Sequence, residues 1–140
     1  AVEAETKLNY ETAVSTAKSH IPAVSGVISR AACNAANELK AAAIVSSTKS
    51  GATARRISQC RPECPIVAVT PSEKVAKSLA FCFGVYPVVA EDQNSTDAMM
   101  ANATKIAVEN GFAKAGDTVV IAAGLDQVGS TNLLKVSVVE

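Results

Sequence analysis

The stretch Ile44–Arg56, IVSSTKSGATARR, passes from an apolar run through hydroxyls and a glycine into a basic segment with helix-forming residues. Read as strand, loop and helix, it is a corner that can hold an anion. The first N–H groups of a helix lack intrahelical partners, and the summed peptide dipoles put about half a positive charge there. Thr48, Ser50 and Thr53 add hydroxyl donors, Gly51 lets backbone approach a ligand closely, and Lys49 supplies a point charge. Open α/β sheets bind their ligands outside the carboxyl ends of parallel strands, where this corner would sit. The plainer alternative is that Ser50 only caps the helix.

Little else in the chain is equipped for catalysis. The spacings G-x-x-x-x-G-K-[ST] and G-x-G-x-x-G are absent. His20, the one histidine, stands two residues before Pro22 and reads as a solvated connection, so no Ser-His-Asp set can be built. Cys33, Cys60, Cys64 and Cys82 match no zinc spacing, and no metal site is expected. Cys33 and Cys82 fall on apolar faces, where a free thiol behaves as a small hydrophobe; reduced thiols suit a cytoplasmic protein. Arg61 directly after Cys60 is too close for a phosphatase loop. Glu91 and Asp92 are adjacent acids after a strand and read as a solvated corner.

These residues need a scaffold, and the 140-residue chain is long enough for one domain with its own core. Nearly half the residues are apolar and only 4% aromatic, with alanine and valine suited to close helix-on-sheet packing. Thirteen basic residues balance thirteen acidic ones, which argues against a nucleic-acid face or an anionic membrane as partner. No apolar stretch reaches the roughly 18 residues of a spanning helix, and the polar, acidic start AVEAETKLNY is unlike a signal peptide. A helix is expected over Glu3–Lys18, within a lead-in segment of residues 1–22. The spacing of Val24, Val27, Ile28, Ala31, Ala32, Ala35 and Leu39 predicts a second helix with that stripe buried. Strands are expected at AAIVSS, PIVAVT, VYPVVA, DTVVIAAG and NLLKVSVVE. Helices are expected at GATARRISQC, PSEKVAKSLAFCFG (ending at Gly84) and NSTDAMMANATKIAVENG (capped at Asn94 or Ser95). The alternation predicts an α/β fold over residues 23–140: three αβα layers around a five-stranded, mostly parallel sheet. Pro87 marks the third strand as an edge. The loop LDQVGST is too short for a parallel crossover, so the last strand should run antiparallel, as an edge open to another chain.

The segments from Ala41 to Glu91, then GFAKAGDTVVIAAG, then GSTNLLKV, resemble the carboxy-terminal domain of pyruvate kinase. That family shows T-x-S-G-x-[ST]-A, R-P-x-x-P-I-x-A-V-T, G-V-x-P, G-D-x-V and G-x-T-N-x-x-[KR]-V in this order, and the match covers the chain from about residue 23 onward. The acidic start at Glu3 to Glu5 resembles the family's approach to this domain. The resemblance implies a parent that transfers phosphate from phosphoenolpyruvate to ADP with magnesium and potassium, in a barrel domain outside this chain. This chain is then an excised regulatory domain or a stand-alone relative, without catalytic residues or a cofactor of its own. The missing initiator methionine leans toward a fragment. The resemblance further implies that Thr48, Lys49, Ser50, Gly51, Ala52 and Thr53 grip a phosphate of a phosphorylated allosteric effector. A second effector loop would comprise Gly124, Gly129, Ser130 and Thr131. The last strand, Asn132, Leu133, Leu134, Lys135, Val136, Ser137 and Val138, would pair across a subunit contact of a homotetramer, with the parent's own barrel as the other partner.

Two departures narrow the effector. The family often carries arginine where this chain has Ala52, removing a charge-assisted contact of roughly 1.5–3 kcal/mol. The loop GLDQVGSTN is short and carries the negative Asp126. A monophosphate, such as a hexose or pentose phosphate or AMP, is therefore expected over a bisphosphate. Two other readings stay open. One is a stand-alone flavodoxin-like enzyme acting on a phosphorylated small molecule, with Cys60 or Cys64 as nucleophile. The other is a dimerisation module whose hydroxyl loop merely caps a helix.

Overall fold

A first helix, α1, runs from Pro22 to Leu39 in the computed structural model, which describes residues 22–93, 95–123 and 133–140. The helix expected over Glu3–Lys18, and His20, lie outside the described residues. After α1 come β1 (Ala43–Ser47), α2 (Ala52–Gln59), β2 (Ile66–Thr70), α3 (Glu73–Leu79), β3 (Val85–Val89), α4 (Thr96–Glu109), β4 (Thr118–Ala123) and β5 (Leu133–Val138).

The five strands form one sheet in the order β3-β2-β1-β4-β5. The β1–β2, β2–β3 and β1–β4 pairs are parallel, and β5 runs antiparallel to β4 with Val120 opposite Val136. The fold is thus three-layered α/β with a reversed last strand. Chain direction across the sheet switches between β1 and β4, and the loop after β1 emerges at that switch, where such sheets bind ligands. Pro87 lies in the edge strand β3, where its missing N–H costs no ladder bond.

Each face of the sheet has its own core. On one, Ala32 and Ala36 of α1, Ala54 and Ile57 of α2, and Leu79 of α3 pack over Ile44, Ile66, Val120 and Ala122. On the other, α4 sets Met100, Ala103, Ile106 and Ala107 against Val45, Val67, Val119 and Ile121. Burying an isoleucine or leucine of this kind stabilises the fold by about 1.5–3 kcal/mol. The abundance of alanine lets the helices lie close to the strands.

Two expectations fail locally. Of the expected stripe on α1, Ala32 is buried and Ile28, Ala31 and Ala35 are partly buried, but Val24, Val27 and Leu39 are 48%, 54% and 51% exposed. The buried face is turned from that stripe toward Ser25, Ser29, Cys33 and Ala36, with Ala32 common to both. Small residues permit closer approach to the sheet, and the Ser29 hydroxyl is satisfied by donating to the Ser25 carbonyl at 2.7 Å. The third helix stops at Leu79, with Ala80 as C-cap, and does not run to Gly84. Leu79 is its last residue fully buried, while Phe81 and Phe83 beyond it point to solvent, so further helical turns would gain no burial.

Candidate functional site at the carboxyl edge of the sheet

Three strand-to-helix corners line the carboxyl edge, and their helix starts differ. At α3, Ser72 is the N-cap; its Oγ accepts from Val75 N–H at 3.2 Å, and Glu73 lies in the first turn. At α4, Ser95 is the N-cap; its Oγ accepts from Ala98 N–H at 3.1 Å, and Asp97 lies in the first turn. Both helices thus carry an internal acceptor and a carboxylate for the dipole. At α2 the N-cap is Gly51, no side chain caps the helix, and no acid stands in its first turn.

The geometry of that corner follows from three residues. Thr48 Oγ1 accepts from Gly51 N–H at 2.9 Å, and Thr48 N–H donates to the Val69 carbonyl at 2.9 Å, so the turn is fastened to β2. Gly51 adopts φ 88°, a left-handed conformation that glycine takes without steric penalty. Arg55, one helical turn on, folds back: Nη1 donates to the Ser50 carbonyl at 3.1 Å and Nη2 to Ser78 Oγ at 2.8 Å. Thr48 and Thr53 are buried, whereas Lys49 and Ser50 are exposed, so the turn opens to solvent on its Lys49–Ser50 side. Ser50 Oγ accepts from Ala52 N–H at 3.3 Å, a weak contact that leaves Gly51 as the cap. Ser46 Oγ, fully buried two residues before the turn, has no hydrogen-bond partner, a state that costs about 1–3 kcal/mol.

The structure brings together Thr48, Ser50, Gly51, Ala52 and Thr53, but it turns Lys49 away. The Lys49 ammonium lies 3.2 Å from Asp92 Oδ2, in the loop between β3 and α4. The guanidinium beside the turn is that of Arg55, which residue-by-residue reading of the sequence missed. Its signal was present: Arg55 stands four residues after Gly51 and so shares its side of the helix. On the α4 side of the edge, Ser47, Val69, Asp92, Met99 and Asn102 line a cavity of about 20 Å³, room for a water and not a sugar.

Gly124, Gly129, Ser130, Thr131 and Asn132 lie outside the described residues; Ala123, just before them, pairs with Ser47 of β1. Of the last strand, Lys135, Val136 and Val138 are exposed, and Leu133, Leu134 and Ser137 are partly buried. The strand pairs with β4 on one side only. Among the described residues no group of three or more His, Cys, Asp or Glu side chains is placed to hold a metal ion, and no helix is long and apolar enough to cross a membrane. Burial pushes the Cys64 thiol above its ordinary pKa, which weakens it as a nucleophile.

Residues 26–137 match the family described as pyruvate kinase, alpha/beta domain. The whole chain is similar to part of a pyruvate kinase from Clostridium acetobutylicum, at 44% identity over 100% of this chain and 30% of that protein. A pyruvate kinase from Staphylococcus epidermidis is 48% identical over 72% of this chain and 18% of its own length. Among solved structures, a pyruvate kinase from Cryptosporidium parvum superposes with a TM-score of 0.75 at 29% identity, covering 84% of this chain and 23% of that one. The chain therefore spans less than a third of the length of these relatives.

Proposed function

The chain belongs to the pyruvate kinase alpha/beta-domain family, and from that membership we propose that it is the regulatory and assembly domain of a pyruvate kinase. The parent enzyme moves the phosphoryl group of phosphoenolpyruvate to ADP in the cytoplasm. That chemistry, with its magnesium and potassium, belongs to a barrel domain beyond this chain. This domain alone turns over no phosphoenolpyruvate. Its part is to bind a phosphorylated effector at Thr48–Thr53 and to join copies through β5.

One observation carries the effector reading: α2 alone among the three helices at this edge starts without a side-chain cap and without an acid. A phosphate supplies both missing partners, accepting from first-turn N–H groups and sitting at the positive end of the dipole. The Arg55 guanidinium and the Ser50 hydroxyl stand ready beside it. With one guanidinium in reach and Lys49 engaged elsewhere, the corner suits a monophosphate. Assembly is supported by apolar surface: Val136 and Val138 on β5 are 45% and 60% exposed, and α1, which packs beside β5, leaves Val24 and Val27 uncovered.

Calorimetric titration of the chain with glucose 6-phosphate and with fructose 1,6-bisphosphate tests the effector reading. The monophosphate should bind at least as tightly; tighter binding of the bisphosphate reverses the preference, and no binding of either removes the site. Sedimentation of wild type and of the Val136→Lys variant tests assembly, the variant being expected to run as a monomer where wild type self-associates.

A further inference from the structure

At the end of α2 farthest from the phosphate corner, three cysteines from separate segments converge. Cys33 lies in α1, Cys60 is the C-cap of α2, and Cys64 lies in the loop leading to β2. The buried Cys33 thiol donates to the Cys60 carbonyl at 3.6 Å, which sets the two residues side by side. The loop is held against α1 by Asn37, whose Oδ1 accepts from Glu63 N–H at 3.0 Å and whose Nδ2 contacts Cys33 Sγ at 3.9 Å. Cys60 is exposed to solvent and Cys33 is not. The pair therefore joins one thiol an oxidant can reach to one that it cannot.

We propose that Cys33 and Cys60 are a redox-modification site, forming a reversible disulfide that ties α1 to the C-terminal end of α2 when the protein meets a hydroperoxide. Cys60 Sγ attacks the peroxide; the O–O bond breaks, Cys60 becomes a sulfenic acid and one water leaves. Cys33 Sγ then attacks the Cys60 sulfur; the S–S bond forms, the S–O bond breaks, and the departing hydroxide takes the Cys33 proton as a second water. Two thiols lose two electrons in total, and one hydrogen peroxide is reduced to two waters.

The order of events follows from the surroundings. Burial, and then the neighbouring Cys60 charge, push the Cys33 thiol pKa up, so Cys33 stays protonated while Cys60 is reduced. Cys64 is the weaker partner: it is only partly exposed, and burial pushes its thiol pKa up. Cys82 packs against the core.

The test is peptide mapping by mass spectrometry, under non-reducing conditions, of the full chain treated with hydrogen peroxide while circular dichroism confirms that it stays folded. The expected product is a Cys33–Cys60 cross-link lacking two hydrogens and reversed by dithiothreitol. Cys64→Ser should keep the link and Cys60→Ser should abolish it. Cys33→Ala should leave Cys60 as a sulfenic acid trapped by dimedone. A wild-type product linked mainly through Cys64, or no intramolecular link in the folded protein, overturns the proposal; that mapping needs no variant and no phosphate ligand, so it stands or falls apart from the effector reading.

Discussion

The starts of α2 and α3 face the same edge of the same sheet, each reached from its strand by a short loop, residues 48–51 and 71–72, but the two helix starts are built differently. At α3, Ser72 sits in extended backbone and its hydroxyl closes the first turn, with Glu73 beside it. At α2, Thr48 spends its acceptor on Gly51 N–H, before the helix begins, and Gly51 in left-handed backbone opens the helix with no side chain over it. The α3 corner is closed by a side-chain cap; the α2 corner has Gly51 as its cap and the weak contact of Ser50 Oγ with Ala52 N–H. Exchanging a glycine N-cap for a side-chain cap is worth only about a few tenths of a kcal/mol. The α2 corner also carries the folded-back Arg55 guanidinium, and Ser46 in β1 keeps a buried hydroxyl without a partner; both fit the effector site proposed there.

The contrast breaks most severely at Gly51. A Cβ there would lie 3.0 Å from Arg55 Nη1 and 3.2 Å from both Leu79 Cδ2 and Val75 Cγ1, on backbone at φ 88°. Gly51→Val should cost about 1–3 kcal/mol in backbone strain and a similar amount in overpacking, read as a lowered urea midpoint, with phosphate binding lost. Gly111→Ala, at φ 79° with nothing within 4 Å of the added carbon, is the control and should show only the strain. Equal losses at the two sites would mean that the Gly51 corner is not tightly packed.

Next in size is a pair of serines expected to fail in opposite ways. Ser50→Ala should leave stability within about 0.5 kcal/mol, as for most surface changes, and weaken phosphate binding by about 1.5–3 kcal/mol, the worth of a hydrogen bond to a charged group. Ser72→Ala should cost about 1 kcal/mol of stability as a lost cap and leave phosphate binding unchanged. Thermal unfolding and phosphate calorimetry on both proteins decide it. A stability loss at Ser50 matching that at Ser72 would make Ser50 an ordinary cap and restore the plainer reading of the corner.

Much of this scaffold was readable because local signals agreed with one another. Strands ending in hydroxyls, helices opening after them and a loop too short for a crossover left one topology, and Pro87 marked its edge. What escaped were contacts that depend on tertiary placement. The apolar stripe of α1 suggested burial of Val24 and Val27, but close packing favoured the face of Ser29 and Ala32. The end of α3 followed burial at Leu79, not the glycine at Gly84. Lys49 looked like the cation of the corner because it stands in the turn; its actual partner, Asp92, comes from the loop after β3, two strands away across the sheet. Arg55 took the position beside the turn because Gly51 leaves room for it, a consequence of backbone conformation that residue type alone does not reveal.

The smallest expected effect concerns that displaced lysine. Lys49 and Asp92 are each about half exposed, 54% and 55% by side chain, so their ion pair contributes at most about 1 kcal/mol. Its bearing on ligand is larger than its bearing on stability, because a phosphate at the corner must compete with the Asp92 carboxylate for the same ammonium. Asp92→Asn removes the competitor and a nearby negative charge, and both changes favour an anion. Phosphate affinity should therefore rise by about two- to fivefold, corresponding to about 0.4–1 kcal/mol, with little change in unfolding midpoint. Lys49→Met should weaken binding, and the double variant Lys49→Met, Asp92→Asn should show a smaller gain from the asparagine than wild type does, since the lysine it frees is gone. If Asp92→Asn raises affinity equally with and without Lys49, the carboxylate acts only by general repulsion, and the lysine takes no part in holding the phosphate.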